Sequence, residues 1–444
     1  MSAFALLASR RFWPLFWAQF LGALNDNLFR FALVIFITFR LGDGGALPAS
    51  ELVVLSGGIF ILPFFLFSSL AGQLADRHEK SRLIRWVKLS EIAVMGLGAV
   101  GFHLAHPGFL LAVLFMMGTH SAFFGPLKYA ILPQHLAEDE LTAGNALIQM
   151  ATYIAILMGA MLGGVLAGLS RESPLPVIAG VLSVASLGYA SACRIPPAPP
   201  TDPALTLDWR LDRATFALLR DCLHTRGITV LLIAVSWFWF LGATCLSLVP
   251  TYGKTLLGAD ENAVTLLNTA FTLGIGAGSL VCDRLAKRQV ELGLMLPAGF
   301  ALLMVMAWIG LRGSPVPASA LAAGDLLRSP DARMFFLALI GLGAAGAVYV
   351  VPLNAALQAR AEPRTRARVI AGLNVLNAAF MVGSALYTTL LLRLGLGLPA
   401  VFAFTAGLTA VVLVVLALAW PEFGLRARVR LGLLSAKTLS NTSR

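Results

Sequence analysis

Two ionisable residues stand inside the first long apolar run of the chain, where charge is costly. Asp26 lies near the middle of this run and Arg30 follows it at i,i+4 spacing, so a helix places both on one face. A charged side chain at the centre of a bilayer costs about 2.5–3.5 kcal/mol on insertion scales and needs a partner. The two residues either form a self-neutralising pair that orients the first helix, or line a polar cavity that binds a ligand carrying both signs of charge. We favour the cavity, because charges inside membrane spans usually serve function.

Other apolar runs also carry polar residues. Lys128 ends the fourth run, and Asn354 stands at the corresponding point of the tenth. A lysine at a helix end also serves as a cation that snorkels to the membrane surface, and amides in bundles often make only inter-helix contacts of about 0.6–2 kcal/mol. Glu91 is expected at the cytoplasmic membrane edge, paired with Lys88 or Arg85. The predicted substrate-binding residues are Asp26, Arg30, Lys128, Asn27, Asn354 and Gln149.

No pattern of catalytic or metal-ligating residues is present in the sequence. The four cysteines are scattered, without a CxxC pair or a neighbouring histidine cluster, so neither a zinc site nor a disulfide framework is indicated. A phosphate-binding P-loop is also missing. We therefore expect no catalytic residues, no cofactor and no metal, and predict that the chain is not an enzyme.

Composition excludes a soluble globular protein. Hydrophobic residues make up 58% of the 444 residues and charged residues only 12%, about half the charged share of soluble domains. Apolar runs long enough to cross about 30 Å of hydrocarbon can be placed twelve times. They lie at about residues 12–40, 52–75, 86–105, 109–131, 142–169, 174–193, 227–252, 262–282, 292–311, 334–358, 369–392 and 398–420. The predicted fold class is an all-α polytopic membrane protein.

A proline-rich, charged segment divides the spans into two sets of six. The predicted organisation is an N-terminal six-helix bundle at 1–194, a cytoplasmic linker at 195–226, a C-terminal six-helix bundle at 227–421 and a basic cytoplasmic tail at 422–444. If the N-terminus is cytoplasmic, most of the 33 Lys and Arg residues fall in cytoplasmic loops, as the positive-inside rule requires. The net charge of +11 is thus mainly a signal of topology rather than of nucleic-acid binding.

An internal repeat supports the two halves. Gly72-Gln-Leu-Ala-Asp-Arg77 follows the second span, and Gly278-Ser-Leu-Val-Cys-Asp-Arg284 follows the eighth. Two related six-helix halves with binding groups between them are the organisation of a rocking carrier. A carboxylate and cations at helix ends can pair in one state of a gate and separate in another. The predicted gating residues are therefore Asp76, Arg77, Asp283 and Arg284.

The loop after the second span resembles the hallmark loop of the major facilitator superfamily. Its form is G-x-L-a-D-r-x-G-r-k, and Gly72, Leu74 and Asp76 match, as do Arg77, Lys80 and Arg82. One departure is that the second glycine of the pattern is replaced around Glu79. The resemblance implies the fold of that superfamily, twelve transmembrane helices in two pseudo-symmetric six-helix halves.

Longer segments are similar to the lysophospholipid transporter (LplT-like) family within that superfamily, including the carrier domain found fused to a glycerophospholipid acyltransferase and acyl-carrier ligase. These segments run from Gln19-Phe-Leu-Gly-Ala-Leu-Asn-Asp-Asn27 through Phe124-Gly-Pro-Leu-Lys128 to Arg368-Val-Ile-Ala-Gly-Leu-Asn374. The resemblance implies an inner-membrane flippase that moves lysophospholipids such as lysophosphatidylethanolamine to the inner leaflet, where a cytosolic acyltransferase and acyl-carrier ligase reacylate them. Asp26 would then attract the ammonium group of the lipid, and Arg30 or Lys128 its phosphate. Membrane lipids and the lysophospholipid are the expected partners, with no nucleic acid.

An alternative function remains open, a proton-coupled antiporter of drugs or small solutes in the same superfamily. Gly159-Ala-Met-Leu-Gly163 echoes the glycine motif of antiporters, with Ala160 in place of the usual proline. Alone, such a motif mostly indicates close helix packing. The expected location in either case is the bacterial inner membrane, with many spans and both termini in the cytoplasm.

Overall fold

The computed structural model describes residues 3–36, 49–170, 173–286, 289–312 and 322–430. Within these ranges the chain is helical and has no strand. The α-helices are α1 Ala3–Leu7, α2 Trp13–Phe36, α3 Ala49–Arg77, α4 Lys80–Leu104, α5 Pro107–Ala130, α6 Leu132–His135, α7 Leu141–Leu169, α8 Leu175–Ala192, α9 Leu211–His224, α10 Arg226–Leu256, α11 Glu261–Ala286, α12 Met295–Leu311, α13 Pro330–Arg360, α14 Arg366–Arg393, α15 Leu398–Ala419 and α16 Pro421–Arg430.

Eleven of the described helical segments are long and apolar enough to cross a membrane. The long helix α2 falls outside this set, because Asn25, Asp26, Asn27 and Arg30 lower its hydropathy. With α2, the described residues give the twelve long helices that the apolar runs predict. The last four residues of the predicted first span, 37–40, and residues 431–444 of the predicted tail lie outside the described residues.

Local sequence explains several helix ends. Between the third and fourth spans, α4 ends at Leu104 with Ala105 in the left-handed region (φ 52°), and Pro107 begins α5. Proline fits the first helical turn because its missing N–H has no partner there in any case. The His106 side chain caps α5 by accepting a hydrogen bond from the Phe109 N–H at 3.0 Å. The boundary between the predicted third and fourth spans therefore falls at Pro107.

One compact unit comprises residues 1–137, 151–224 and 361–378. Within it α3 packs along α5, and α8 packs against both α2 and α4. A Cβ at Gly118 of α5 would collide with the Phe60 carbonyl of α3, so glycine lets these two backbones approach closely. The first part of α14 belongs to this unit by its contacts.

A second compact unit comprises residues 138–150, 225–360 and 379–444. Its most extensive helix pairs are α11 with α13 and α12 with α15. A Cβ at Gly278 of α11 would collide with the Ala344 carbonyl of α13. Glycine thus lets the second and fourth spans of the first unit approach closely, and also the eighth and tenth spans of the second unit. The division into bundles at 1–194 and 227–421 itself stays a prediction.

Candidate functional site

Asp26 lies midway along α2 and is held by one hydrogen bond from α5. The Ser121 hydroxyl donates to Asp26 Oδ2 at 2.5 Å, while Asp26 Oδ1 is buried without a hydrogen-bond partner. A buried carboxylate oxygen without a donor is expensive. Asp26 Oδ1 can therefore accept a hydrogen bond from a further donor, such as an ammonium group.

In the described part of the chain, the Arg30 guanidinium packs on aromatic rings and makes no direct ion pair with the Asp26 carboxylate. Its guanidinium lies over the rings of Phe31 and Phe60, 5.6 and 5.9 Å from their centroids, and no ion pair between Arg30 and Asp26 occurs in the ranges that the structure describes. The self-neutralising pair allowed by the i,i+4 spacing is thus not formed.

A buried polar network adjoins Asp26 at its chain neighbour Asn25. Glu91 of α4 accepts from Lys88 Nζ at 2.6 Å and from Asn25 Nδ2 at 2.8 Å. His120 of α5 brings Nε2 to 3.3 Å from Glu91 Oε2, outside hydrogen-bond alignment. All four side chains are buried. The network joins α2, α4 and α5 behind the Asp26 carboxylate.

Two features allow a lysine to be buried here. A Cβ at Gly22 of α2 would lie 2.5 Å from Lys88 Nζ, so only glycine leaves room for the ammonium group. The Lys88 ammonium also lies 5.2 Å from the centroid of the Phe124 ring, a cation–π distance. The Glu91 side chain is 1% exposed, and its expected position at the cytoplasmic membrane edge stays a prediction. Lys88 rather than Arg85 is its partner, and Arg85 instead lies 3.9 Å from Glu79.

Lys128 shares a face of α5 with Ser121, two turns away or about 10 Å along the helix axis. Its ammonium lies 5.0 Å from the centroid of the Tyr129 ring. Between the two positions, a Cβ at Gly125 would collide with Asn374 Nδ2 of α14, and this amide nitrogen is buried without a hydrogen-bond partner. The carboxylate of Asp26, the unpaired amide donor of Asn374 and the ammonium group of Lys128 thus lie along one face of α5.

The remaining predicted binding residues are placed differently. Asn27 donates to the Ala23 carbonyl one turn earlier in α2 at 2.8 Å, so its amide bonds its own helix. Gln149 and Asn354 are buried in the second unit. There Asn145 and Gln358, one turn from each of them, exchange two side-chain hydrogen bonds of 3.1 and 2.7 Å.

Asp76 ends α3 and is buried against the first turn of α14. It accepts from the backbone N–H groups of Ala367 and Arg368 at 3.1 and 3.3 Å and from Arg368 Nε at 3.1 Å. A carboxylate at a helix N-terminus is stabilised by the helix dipole. Arg368 also reaches Asp202 of the linker, with 3.4 Å between the charged atoms. Arg77 is partly exposed, and in the second unit Asp283 is partly buried and Arg284 exposed.

The residue that replaces the second glycine of the loop pattern has a role of its own. The Glu79 carboxylate caps α4 by accepting from the N–H groups of Ser81 and Arg82 at 3.0 and 2.7 Å. It also accepts from the Ala198 N–H of the linker at 2.7 Å. Partial burial raises the pKa of Glu79, but the hydrogen bonds from Ser81, Ala198 and Arg82 outweigh this and lower the pKa below its usual value. The carboxylate thus ties the linker to the start of α4.

Comparison with known proteins decides the family. The sequence model of the Major Facilitator Superfamily matches residues 15–323. The chain belongs to the Major Facilitator Superfamily.

Curated relatives of this superfamily member include the lysophospholipid transporter LplT of Salmonella gallinarum (strain 287/91 / NCTC 13346). It is 30% identical over 394 residues, which are 86% of this chain and 88% of that protein. The protein of the same name from Salmonella newport (strain SL254) has the same identity and coverage. The resemblance to the lysophospholipid transporter family is confirmed.

Solved structures of superfamily members share the fold. The human organic anion transporter MFSD10 (TETRAN) has a TM-score of 0.73 at 18% identity, covering 92% of this chain and 99% of that one. A variant of the E. coli fucose:proton symporter FucP has a TM-score of 0.67 at 12% identity, covering 91% and 97%. The predicted all-α fold of a multi-pass superfamily transporter is confirmed.

The glycine motif of the fifth span serves packing in this superfamily member. A Cβ at Gly159 of α7 would lie 2.6 Å from the Leu24 carbonyl of α2, and one at Gly163 would lie 2.6 Å from the Leu28 carbonyl. The two glycines therefore let α7 lie directly against α2 beside Asp26.

Sequence reasoning identified Asp26 and Lys128 but not the groups that complete their surroundings. His120, Ser121 and Asn374 were missed as site residues. Asn374 had one signal, since it ends the Arg368–Asn374 segment that is similar to the lysophospholipid transporter family. His120 and Ser121 had none, because their significance depends on which helices pack together.

Proposed function

We propose that this chain is an inner-membrane lysophospholipid transporter, which moves lipids such as lysophosphatidylethanolamine from the outer to the inner leaflet for reacylation. The observation that carries the proposal is the α5 face with Asp26 at one end and Lys128 at the other. A zwitterionic headgroup needs both signs of charge. The curated relatives named as lysophospholipid transporters support this substrate class.

In this proposal the headgroup crosses through the polar interior while its single acyl chain stays in apolar surroundings. Asp26 Oδ1 accepts from the ammonium group, and Lys128 with Asn374 Nδ2 donates to the phosphate. Leaflet exchange is slow without such a path, since a charged headgroup must leave water. Arg30, Asn27, Gln149 and Asn354 stay predicted contributors. A cytosolic acyltransferase and acyl-carrier ligase consume the product, and both termini lie in the cytoplasm.

The proposal is tested by uptake of labelled lysophosphatidylethanolamine into spheroplasts that lack their own transporter and contain a cytosolic acyltransferase. We expect diacyl product to appear faster with this chain than with empty vector. Equal rates, with the protein present in the membrane at normal abundance, would refute lysophospholipid transport.

One observation favours a second candidate, proton-coupled antiport of small solutes. Glu91 and His120 lie 3.3 Å apart and are both buried, and a histidine beside a carboxylate is a type of pair that can carry a proton when its alignment changes. This function requires solute extrusion that depends on an imposed pH gradient. Extrusion that is unchanged when the gradient is collapsed would eliminate it.

The contact of Asp76 with α14 is proposed as part of the gate, together with Arg77, Asp283 and Arg284. We expect Arg368→Gln to remove a charge-assisted hydrogen bond worth about 1.5–3 kcal/mol, and so to change the ratio of gate states by roughly tenfold or more. The measurement is the rate at which a cysteine introduced near Asp76 reacts with a water-soluble maleimide.

Arg364→Gln is the matched control for this variant. Arg364 lies one turn before Arg368, is exposed and makes no ion pair in the described part of the chain, so its removal should change the labelling rate little. An effect of Arg364→Gln as large as that of Arg368→Gln would contradict the specific role of the Asp76 contact.

A further inference from the structure

The amphipathic helix α9 of the linker packs through one apolar stripe. Ala214, Leu218 and Cys222 follow each other at i,i+4 spacing and are buried. The Thr215 hydroxyl donates to the Phe65 carbonyl of α3 at 3.4 Å, and the Asp208 N–H just before α9 donates to Gln73 Oε1 of α3 at 2.8 Å. The helix therefore runs alongside α3.

The same stripe also contacts α14. A Cβ at Gly372 would lie 2.9 Å from Cys222 Sγ and 3.8 Å from Cys222 Cβ. The neighbouring residue Ala371 faces α3, since a Cβ at Gly72 would lie 2.7 Å from the Ala371 Cβ. We call this close contact of α3 and α14 at Gly72 and Ala371 the seam. Because α9 contacts both helices beside it, α9 covers the seam.

These contacts place α9 beside the spanning helices and not beyond their ends. Phe65 precedes the end of α3 at Arg77 by twelve residues, which is about 18 Å at 1.5 Å per residue. Gly372 lies six residues inside α14, about 9 Å by the same rise. Trp86 of α4 is 60% exposed and, like Gly372 in α14, lies six residues inside its helix. Tryptophan is enriched at the level of lipid headgroups. The depth of α9 is therefore that of the boundary between headgroups and acyl chains.

The outward face of α9, together with Trp209 two residues before it, has the composition of a lipid-binding surface. Trp209, Phe216 and Leu223 recur every seven residues and are 66%, 78% and 44% exposed. Arg213 and Arg220 are exposed about one turn before and after Phe216. Aromatic and aliphatic side chains enter the acyl boundary of interfacial helices, and arginine binds phosphate while its stem lies along apolar surface.

We propose that α9 is an interfacial helix whose outward face binds phospholipids of the leaflet at the Arg77 end of α3, and that α9 closes the seam through which a single-chain lipid leaves the carrier. Phe216 enters the acyl region and the two flanking arginines bind lipid phosphates. The second half of this inference rests on the proposed lysophospholipid transport, whereas the first half does not.

Lipid contact is tested with a spin label at Phe216→Cys in a chain whose four native cysteines are replaced, reconstituted into phospholipid vesicles. We expect the label to collide more with oxygen, which concentrates in lipid, than with a water-soluble nickel complex. A label at Glu138→Cys, an exposed position in a short 3-10 helix, is the aqueous control and should show the reverse. If the label at 216 behaves like that at 138, α9 does not bind lipid.

Closure of the seam is tested with a reversible crosslink. Gly372→Cys beside the native Cys222 gives a Cβ–Cβ distance of 3.8 Å, which matches disulfide geometry. Cys193, Cys245 and Cys282 are replaced by serine or alanine. Burial, with the nearby Asp221 adding to it, raises the pKa of the Cys222 thiol to about 12, so the crosslink needs an added oxidant such as copper phenanthroline.

We expect the oxidised variant to lose at least nine-tenths of its lysophospholipid uptake and to regain it with a thiol reductant. Gly372→Ala adds the same Cβ without a thiol, so its uptake should not respond to oxidant. Full uptake in the crosslinked protein would overturn closure of the seam, and failure to crosslink would overturn the position of α9. If the uncrosslinked parent moves no lysophospholipid, the proposed function fails, and the spin-label result still decides lipid binding.

Discussion

Asp26→Asn is expected to lower the initial rate of lysophosphatidylethanolamine uptake by about 10- to 150-fold. Asparagine keeps the shape of the side chain and an oxygen for the Ser121 hydroxyl, but it loses the charge that attracts the ammonium group. A hydrogen bond to a charged partner is worth about 1.5–3 kcal/mol, which sets this range. The measurement is formation of diacyl product in spheroplasts, normalised to the amount of protein in the membrane.

Two controls make the Asp26 result specific. Glu138→Gln removes an exposed carboxylate and should transport like the parent chain. Lysophosphatidylglycerol carries no ammonium group, so its uptake should fall less in Asp26→Asn than uptake of lysophosphatidylethanolamine. Unchanged uptake of both lipids would remove Asp26 from the site, and an equal loss of both would show that Asp26 does not recognise the ammonium group.

The second large effect is on stability. Glu91→Gln leaves the buried Lys88 ammonium without its carboxylate at 2.6 Å. Removing one partner of a buried ion pair typically costs about 3–5 kcal/mol, whereas replacing both by apolar residues is often nearly neutral. We therefore expect Glu91→Gln to be strongly destabilised, and the double variant Lys88→Met with Glu91→Leu to be closer to the parent chain.

Thermal unfolding of the purified protein in detergent checks this expectation. Arg85→Met is the matched control, because Arg85 lies about one turn before Lys88 on the same helix with its side chain 43% exposed and its nearest carboxylate at 3.9 Å. Its unfolding temperature should stay close to that of the parent chain. A double variant less stable than Glu91→Gln would contradict the ion-pair explanation.

The sequence predicts the spans well because span length and proline placement are local properties. The break at Pro107 and the twelve long helices follow from composition alone. The close backbone contacts of Gly118 with Phe60 and of Gly278 with Ala344 lie in corresponding pairs of spans, which fits the internal repeat. The sequence does not predict that the first part of α14 belongs to the first unit, because this depends on contacts between residues far apart in the chain.

The candidate site is predictable only where a single residue is unusual for its surroundings. Asp26 is such a residue, because a carboxylate in an apolar run needs an explanation. His120 is one of six histidines without a motif beside it, and only the packing of α4 against α5 reveals its contact with Glu91. The i,i+4 spacing of Asp26 and Arg30 permitted a pair that the side chains do not form.

Hydrogen bonds to Glu79 and its neighbours in the first unit limit how far the linker between the two sets of spans can move. The Ala198 N–H donates to the Glu79 carboxylate, the Thr201 hydroxyl to the Asp76 carboxylate and the Asp208 N–H to the Gln73 side-chain oxygen. The helix α9 then continues to His224. Although the linker is long in sequence, these hydrogen bonds hold it along the surface of the first unit. Only Thr225 separates α9 from α10, so any change in chain direction between the linker helix and the seventh span is confined to one residue.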